Sequence, residues 1–408
     1  MRVLLVNKYH HLRSGTERYL FNLKRLLESR GHRVEVFAMD HPLNEPATYS
    51  RWFVPYMDFH AIRPEGFVEA ARRVIWDPGA ARRIASVLDE FRPDMVHILN
   101  IYHHISPSIL LSIGRRGIPV AQTLNDYKLI CPNYLLYTRG APCTRCRRGG
   151  YLQAFWHRCL HGSPSWSLLA ALEMSLHKAW RVYERHVAIF IAPSLFVKEM
   201  VESFGLPQGN STHIPYFLFP REYEVTRGDE GYIAYMGRLS REKGLETLLR
   251  AMRQVPEVPL RIVGEGVMRP SLEKSVEESA LRNVSFMGHL GGMELRRLLA
   301  GARFTVLPSE WYEVFGQSIL ESFAAGKPVV AARIGGIGEV VGDGPDAGGL
   351  LFAPGAAEEL AGCIRRLWHH PGEARDMGER GRRRVLECGF DDESHYHRIV
   401  SLYQGLVS

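Results

Sequence analysis

Two glutamates, Glu313 and Glu321, stand eight positions apart in the run EVFGQSILE, with Gly316, Gln317 and Ser318 between them. A carboxylate on a loop and another on the helix that follows are good acceptors for the paired hydroxyls of a sugar and a ribose. The helix start between them offers free amides to a phosphate. Two glutamates at this spacing occur by chance in most proteins, so the pair gains meaning only from its surroundings. Upstream, YMGRLSREKGLETLL sets Gly237 at a strand end, followed by Arg238, Lys243 and a helix. Arginine presents a planar fork to phosphate oxygens and lysine a point charge, an arrangement that suits a diphosphate. Taken alone, the same run is also what a solvated basic turn looks like. In RIVGEGV, Gly264 and Gly266 end a strand and allow a base or ribose to approach the backbone.

A second constellation is made of Cys131, Cys143, Cys146 and Cys159, a CxxC pair with one cysteine before it and one after. Four thiolates at such spacing are compatible with one tetrahedral structural zinc, with His157 or His161 able to replace a ligand. Reduced, packed thiols are the plainer reading and redox chemistry a third. A disulfide fits a cytoplasmic chain less well. Cys363 and Cys388 have no such neighbours and are expected to be buried.

These residues need elements to hold them. At 408 residues, 46% hydrophobic and 23% charged, the chain has the composition of a soluble globular protein long enough for two domains. No apolar run reaches the length of a membrane span, and the opening RVLLVN reads as a first buried strand, not as a signal peptide. The expected location is the cytoplasm, extending to the inner face of the cell membrane. Strand-like runs alternate with helix-period segments along nearly the whole length. One series runs through RVLLVN, RVEVFAM, DMVHIL, IPVAQTL and HVAIFIAPS, with a helical region near 68–91. A second runs through GYIAYMG, LRIVG, VSFMG, FTVLP and PVVAA. Two such series argue for an α/β chain of two doubly wound Rossmann-like domains facing across a cleft. The expected division is 1–217, with a cysteine-containing insertion near 131–160, then 218–389, then a helix over 390–408 that returns toward the N-terminal domain.

In combination, GRLSREKG, VGEG, EVFGQSILESFAAGKPVVA and GGIGEVV resemble the retaining, nucleotide-sugar-dependent glycosyltransferases of family 4, whose fold is the two-Rossmann GT-B type. The motifs span roughly residues 231–342, and the first half matches more loosely through SGTERYLFNLKRLLESRGHRVEVF and TLNDYKLICP. The resemblance implies that Arg238 and Lys243 bind the donor diphosphate, with Gly15, Gly237, Gly264 and Gly266 near the donor. It further implies that Glu313 holds hydroxyls of the transferred sugar beside the amides of Phe315, Gly316 and Gln317, and that Glu321 holds the ribose diol. The chain departs from the family pattern in three places. Its first glycine-rich loop is Ser14-Gly15-Thr16, without the usual second glycine. Asn125-Asp126 stands where a His-Asp pair is common, and the familiar His-x-His is reduced to His97. Asparagine cannot titrate, so no general base is available at that position. In enzymes of this kind the leaving phosphate oxygen can take the acceptor's proton. His103 and His104 nearby read better as solvated or core-edge residues.

The resemblance thus implies transfer of a sugar from a nucleoside diphosphate donor to a glycan or lipid-linked acceptor, with no catalytic cofactor. The nearer rival on the same fold is a nucleotide-sugar epimerase or a sugar phosphorylase. Residues 1–220 carry 27 Lys and Arg against 17 Asp and Glu, and the remainder 24 against 27. The basic first half suits a peripheral contact with an anionic membrane. It would also suit a nucleic acid, but its charges are dispersed and no nucleic-acid motif accompanies them, so none is expected as a partner.

Overall fold

The computed structural model describes residues 1–58 and 66–408. Its contacts divide the chain into two units. The first comprises Met1–Leu136, Thr144–Ile214 and Tyr396–Ser408, and the second comprises Tyr137–Cys143 and Pro215–His395. That Tyr137–Cys143 belongs with the second unit is announced by no feature of the sequence.

The first unit is built on six strands: β1 (Arg2–Asn7), β2 (Arg33–Phe37), β3 (Met95–Asn100), β4 (Val120–Thr123), β5 (Ile189–Ala192) and β6 (Ser211–His213). They pair in the order β6-β5-β4-β3-β1-β2, every pair parallel. Val3 to Asn7 and all of β3 are buried, as strands covered by helices on both faces must be. The chain order reverses beside β1, whose neighbours are β2 and β3, so loops leaving the carboxyl ends of β1 and β3 splay apart and form the ligand crevice usual for such sheets. Helix α1 (Gly15–Ser29) follows β1 and is capped by Ser14, whose hydroxyl accepts from Thr16 N and donates to Glu17 at 2.6 Å. The helical region expected near 68–91 is two helices, Phe67–Ile75 and Pro78–Phe91. Pro78 has no amide to continue the first, and Asp77 caps the second by accepting from Gly79 N at 2.8 Å. Helix α2 (Pro164–Trp180) buries Leu169, Ala170, Met174 and His177.

The second unit repeats the plan. Its strands are β7 (Ile233–Met236), β8 (Leu260–Val263), β9 (Val284–Gly288), β10 (Thr305–Leu307), β11 (Val329–Ala332) and β12 (Gly349–Phe352). Their order is β9-β8-β7-β10-β11-β12, again parallel throughout. Here the reversal falls between β7 and β10, so the loops after Met236 and Leu307 flank one crevice. Helix α3 (Leu245–Met252) packs its Leu248, Leu249 and Met252 into a core shared with Leu360, Ile364 and Leu367. Helix α4 (Gln317–Ala324) stands between β10 and β11. Two strands, β6 and β12, were not read from the sequence. Both are outermost in their sheets.

Candidate functional site

In the second unit the reversal point collects the expected donor residues. The loop after β7 carries Gly237 to Lys243, and the loop after β10 carries Ser309 to Glu313. The Lys243 ammonium lies 2.7 Å from Glu313 Oε1, with the lysine side chain 17% exposed and the glutamate 8%. Ser309 Oγ donates to the same oxygen at 2.6 Å. Burial by itself would raise the Glu313 carboxyl, but the Lys243 charge and the hydrogen bonds from Lys243 and Ser309 outweigh it and hold the pKa below the usual value. The Trp311 side chain adds a further contribution, and with about four lone-pair sites the carboxylate keeps capacity for a sugar hydroxyl.

Arg238 is 57% exposed and is held by its own loop, donating to Ser240 Oγ at 3.3 Å and to Glu242 Oε1 at 3.1 Å. The buried Tyr235 hydroxyl donates to Arg238 O at 3.0 Å and so braces the loop from beneath. The glycines also serve a structural purpose. A Cβ on Gly264 would lie 1.9 Å from Gly237 O, and one on Gly266 would lie 2.3 Å from Leu239 O. Gly237 N donates to Val263 O and Leu239 N to Glu265 O, so the two loops zip together along their backbones. The close approach is therefore protein to protein, and it fixes where Arg238 stands.

Gly316, in the left-handed region with φ +97°, is the N-cap of α4 and brings no side chain to the first-turn amides. Ile319 N turns back to Gly316 O at 2.9 Å, so the helix start is tightened by its own backbone and not by a side chain. The Phe315 ring is core, packed edge-on to Tyr216 and Phe390, so only its backbone can serve the site. Glu321 is 7% exposed and accepts from the Tyr223 hydroxyl at 3.3 Å. Sequence reasoning missed Tyr223, whose only signal is its place among the aromatics of the joint. It also missed what GGIG does: Gly336 N donates to Glu313 O at 2.8 Å, and a Cβ on Gly335 would fall 2.3 Å from that same oxygen. The motif clamps the Glu313 backbone. Tyr137, also of this unit, is buried, and that burial, aided by the charge of Glu310 and opposed by that of Arg241, pushes its phenol up to about 12.

In the first unit, Gly15 is exposed at the start of α1. Glu17 is buried, accepting from Asn7 Nδ2 at 3.0 Å, so the single-glycine loop is secured by its serine cap and this glutamate. Asn125 donates to Leu99 O at 2.8 Å and to Thr123 O at 3.2 Å. Asp126 accepts from Lys128 N at 2.9 Å and from Asn100 Nδ2 at 3.1 Å. Burial raises the Asp126 carboxyl, against the pull of Lys8 and Lys128. His97 is fully buried between Tyr403 OH at 2.5 Å and Thr123 Oγ1 at 2.7 Å, a strut of the core. His103 lies 3.4 Å from the buried Glu173, and burial lowers its pKa.

Cys131, Cys146 and Cys159 belong to the first unit and Cys143 to the second. Cys131 is buried, its Sγ 2.9 Å from Asn133 Oδ1, and the other three are half-buried. Among the described residues no group of three or more His, Cys, Asp or Glu is arranged to hold a metal ion. Cys363 is half-buried and Cys388 exposed, contrary to expectation; Cys388 caps the surface helix Pro371–Glu387 and has nothing above it.

Residues 13–217 match the profile of Glycosyltransferase Family 4, and residues 220–384 match that of Glycosyl transferases group 1. Over 246 residues the chain is 33% identical to a glycogen synthase of Mycobacterium tuberculosis, a stretch that is 58% of this chain and 58% of that protein. It is 34% identical over 171 residues to an MMP alpha-(1->4)-mannosyltransferase of Mycolicibacterium hassiacum, 41% of each chain. The chain thus spans about half the length of these relatives. A sucrose-phosphate synthase from Thermosynechococcus elongatus superposes with a TM-score of 0.73 at 21% identity, over 99% of this chain and 98% of that one. HepE of Anabaena, solved in complex with UDP-glucose, gives 0.68 at 18% identity over 100% of both chains. With two Rossmann-like units, that shared fold and a family profile over half its length, the chain belongs to the GT-B glycosyltransferases.

Proposed function

We propose that the protein transfers a sugar from a nucleoside diphosphate donor to an acceptor hydroxyl with retention of anomeric configuration. The observation that carries this reading is the Lys243–Glu313 pair, nearly dry, at the reversal point of the second sheet. Lys243 and Arg238 supply positive charge for the diphosphate, and the uncapped start of α4 supplies amides. Glu313, kept ionised, accepts from hydroxyls of the sugar, and Glu321 from the ribose. A neutral Asn125 offers no base, so the acceptor's proton passes to the leaving phosphate oxygen on the face from which the donor departs, which is what retention requires. The acceptor is a glycan or a lipid-linked glycan, as in polysaccharide, lipopolysaccharide or glycolipid assembly. The names of the relatives, a glycogen synthase and a mannosyltransferase, support transfer over epimerisation or phosphorolysis.

A thermal-shift screen of nucleoside diphosphates and their sugars tests the donor reading, since a ligand bound only by the folded state raises the melting point. NMR of the product made with the stabilising donor then tests the stereochemistry. The proposal predicts an axial or equatorial product bond matching the donor's. An inverted product, turnover without acceptor, or a requirement for free phosphate would reject it.

A further inference from the structure

Between Thr144 and Tyr183, in the first unit, the surface has a composition that the sheet does not require. Helix α2 carries leucines outward as well as inward. Its inner side packs Leu169, Ala170 and Met174, while Ser165, Leu168, Leu172, Ser175 and Ala179 form an exposed stripe at helical spacing. Leu168 and Leu172 are 36% and 45% exposed, and the exposed charge of the helix, Lys178, stands in its last turn beside Ala179. A surface helix normally turns charged residues outward, and one apolar all round is normally covered. Against α2 lies the short helix Gln153–His157, whose Trp156 is 70% exposed and follows Leu152 at 53%.

Charge supplies the second, independent observation. The stretch holds Arg145, Arg147, Arg148, Arg158, Lys178 and Arg181; Lys178 is paired with Glu184 just beyond it at 3.5 Å, and the one carboxylate inside the stretch is Glu173. Glu173 is buried, its side chain 2% exposed, and bound to Lys128 Nζ at 2.7 Å. No carboxylate of these residues therefore reaches solvent, while Arg145, Arg147, Arg148 and Arg158 all do. Tryptophan and leucine favour the boundary between acyl chains and headgroups, and arginine can lay its stem along apolar surface with the guanidinium on a phosphate. A folded protein partner mixes signs across its surface, whereas a lipid leaflet rich in phosphates offers one sign over a wide area. That match decides the occupant.

We propose that the exposed stripe of α2, with Leu152, Trp156 and the arginines from Arg145 to Arg158, seats the protein on an anionic lipid surface. The contact stands without the transfer reading, though it would bring the chain to where a lipid-linked acceptor is presented.

Cosedimentation of the full chain with vesicles of phosphatidylcholine, alone or mixed with phosphatidylglycerol, tests it. Binding is expected to the mixed vesicles only, weakening as salt rises. Leu168→Ser/Leu172→Ser and, separately, Arg145→Ser/Arg148→Ser should each weaken binding at least about tenfold. Both variants should keep the wild-type melting point and nucleoside diphosphate affinity, which separates this idea from the donor site. Absence of binding to mixed vesicles overturns the proposal, as does undiminished binding by either variant. A dimer seen by light scattering that the leucine variant dissolves, with no vesicle binding, would assign the stripe to a second copy and equally overturn it.

Discussion

Lys243 and Glu313 satisfy each other in a site almost closed to water, so deleting either charge leaves the other stranded at a cost of several kcal/mol. Alanine at either position would therefore mix lost chemistry with lost stability. Glu313→Gln keeps the shape and one acceptor, and it isolates the charge. Its expected effect is a fall in turnover of about 100-fold or more, the size seen when one group that stabilises developing charge is lost. Wild-type turnover in the folded variant would remove Glu313 from the donor site. The same variant reads out the pH dependence. Because the folded carboxyl is held below its ordinary 4.5, the ionised pair adds stability above that pH and loses it as pH falls through the lowered value. The urea midpoint of wild type should thus drop more steeply below pH about 4.5 than that of Glu313→Gln. At this scale the sequence was informative about identity and poor about cause. That Arg238, Lys243 and Glu313 stand in loops after strands was legible from the glycine turns beside them, whereas the ligand roles given to them and to Glu321 come from the family resemblance and are proposals. Which backbone atoms Gly264 and Gly335 approach is a long-range fact, since their neighbours Gly237 and Glu313 lie 22 or more residues away in the chain.

The strands and helices follow from the alternation of apolar runs, and the strand order gives their alternation a direction. Reversal beside β7 is what turns two separate loops, after Met236 and after Leu307, into one crevice. The backbone zipper between the loops after β7 and β8 then sets the height of Arg238. Gly264→Ala would place a methyl 1.9 Å from Gly237 O, a contact only a backbone shift can relieve. It should cost about 1–3 kcal/mol of stability and weaken nucleoside diphosphate binding, because the displaced loop carries Arg238. Gly362→Ala is the control: a Cβ there meets nothing within 4 Å, and within helix Ala357–His369 it should be neutral or stabilise by about 0.5–1 kcal/mol. Equal behaviour of the two in denaturant titrations would show that the zipper does not constrain the loop. The cysteine segment was read by spacing alone, and spacing does not say which chain segments gather. Cys143 lies in a hairpin that folds with the second unit, while its CxxC partner Cys146 folds with the first. One structural zinc held by Cys131, Cys143, Cys146 and Cys159 is settled by elemental analysis of protein never exposed to chelator: one equivalent supports it, and none leaves the cysteines as packed thiols.

Across the whole molecule, the last helix, Asp392–Val407, leaves the second unit at His395 and finishes as part of the first. No helix among the described residues is long and apolar enough to cross a membrane. Its anchor is Tyr403, fully buried, with its ring edge-on to His97 and its hydroxyl 2.5 Å from His97 Nδ1. His97 is thereby bound on both ring nitrogens, Nε2 meeting Thr123, and β3 and β4 are tied to the chain's end. The short histidine motif of the first unit was thus legible as an oddity in the sequence but not as a core strut, because its partner lies 306 residues away. Removing the hydroxyl alone leaves one buried ring nitrogen unsatisfied, so Tyr403→Phe should cost about 1–3 kcal/mol. Tyr403→Ala adds a cavity the size of the ring and should cost about 3–5 kcal/mol. Both losses belong to the first unit, whereas Arg238, Lys243, Glu313 and Glu321 belong to the second. Calorimetry should therefore show an early transition in Tyr403→Ala while nucleoside diphosphate still raises the melting of the remainder. If Tyr403→Ala melts like wild type, the last helix is dispensable to the first unit; if donor binding is lost along with it, the two units do not keep their stabilities apart.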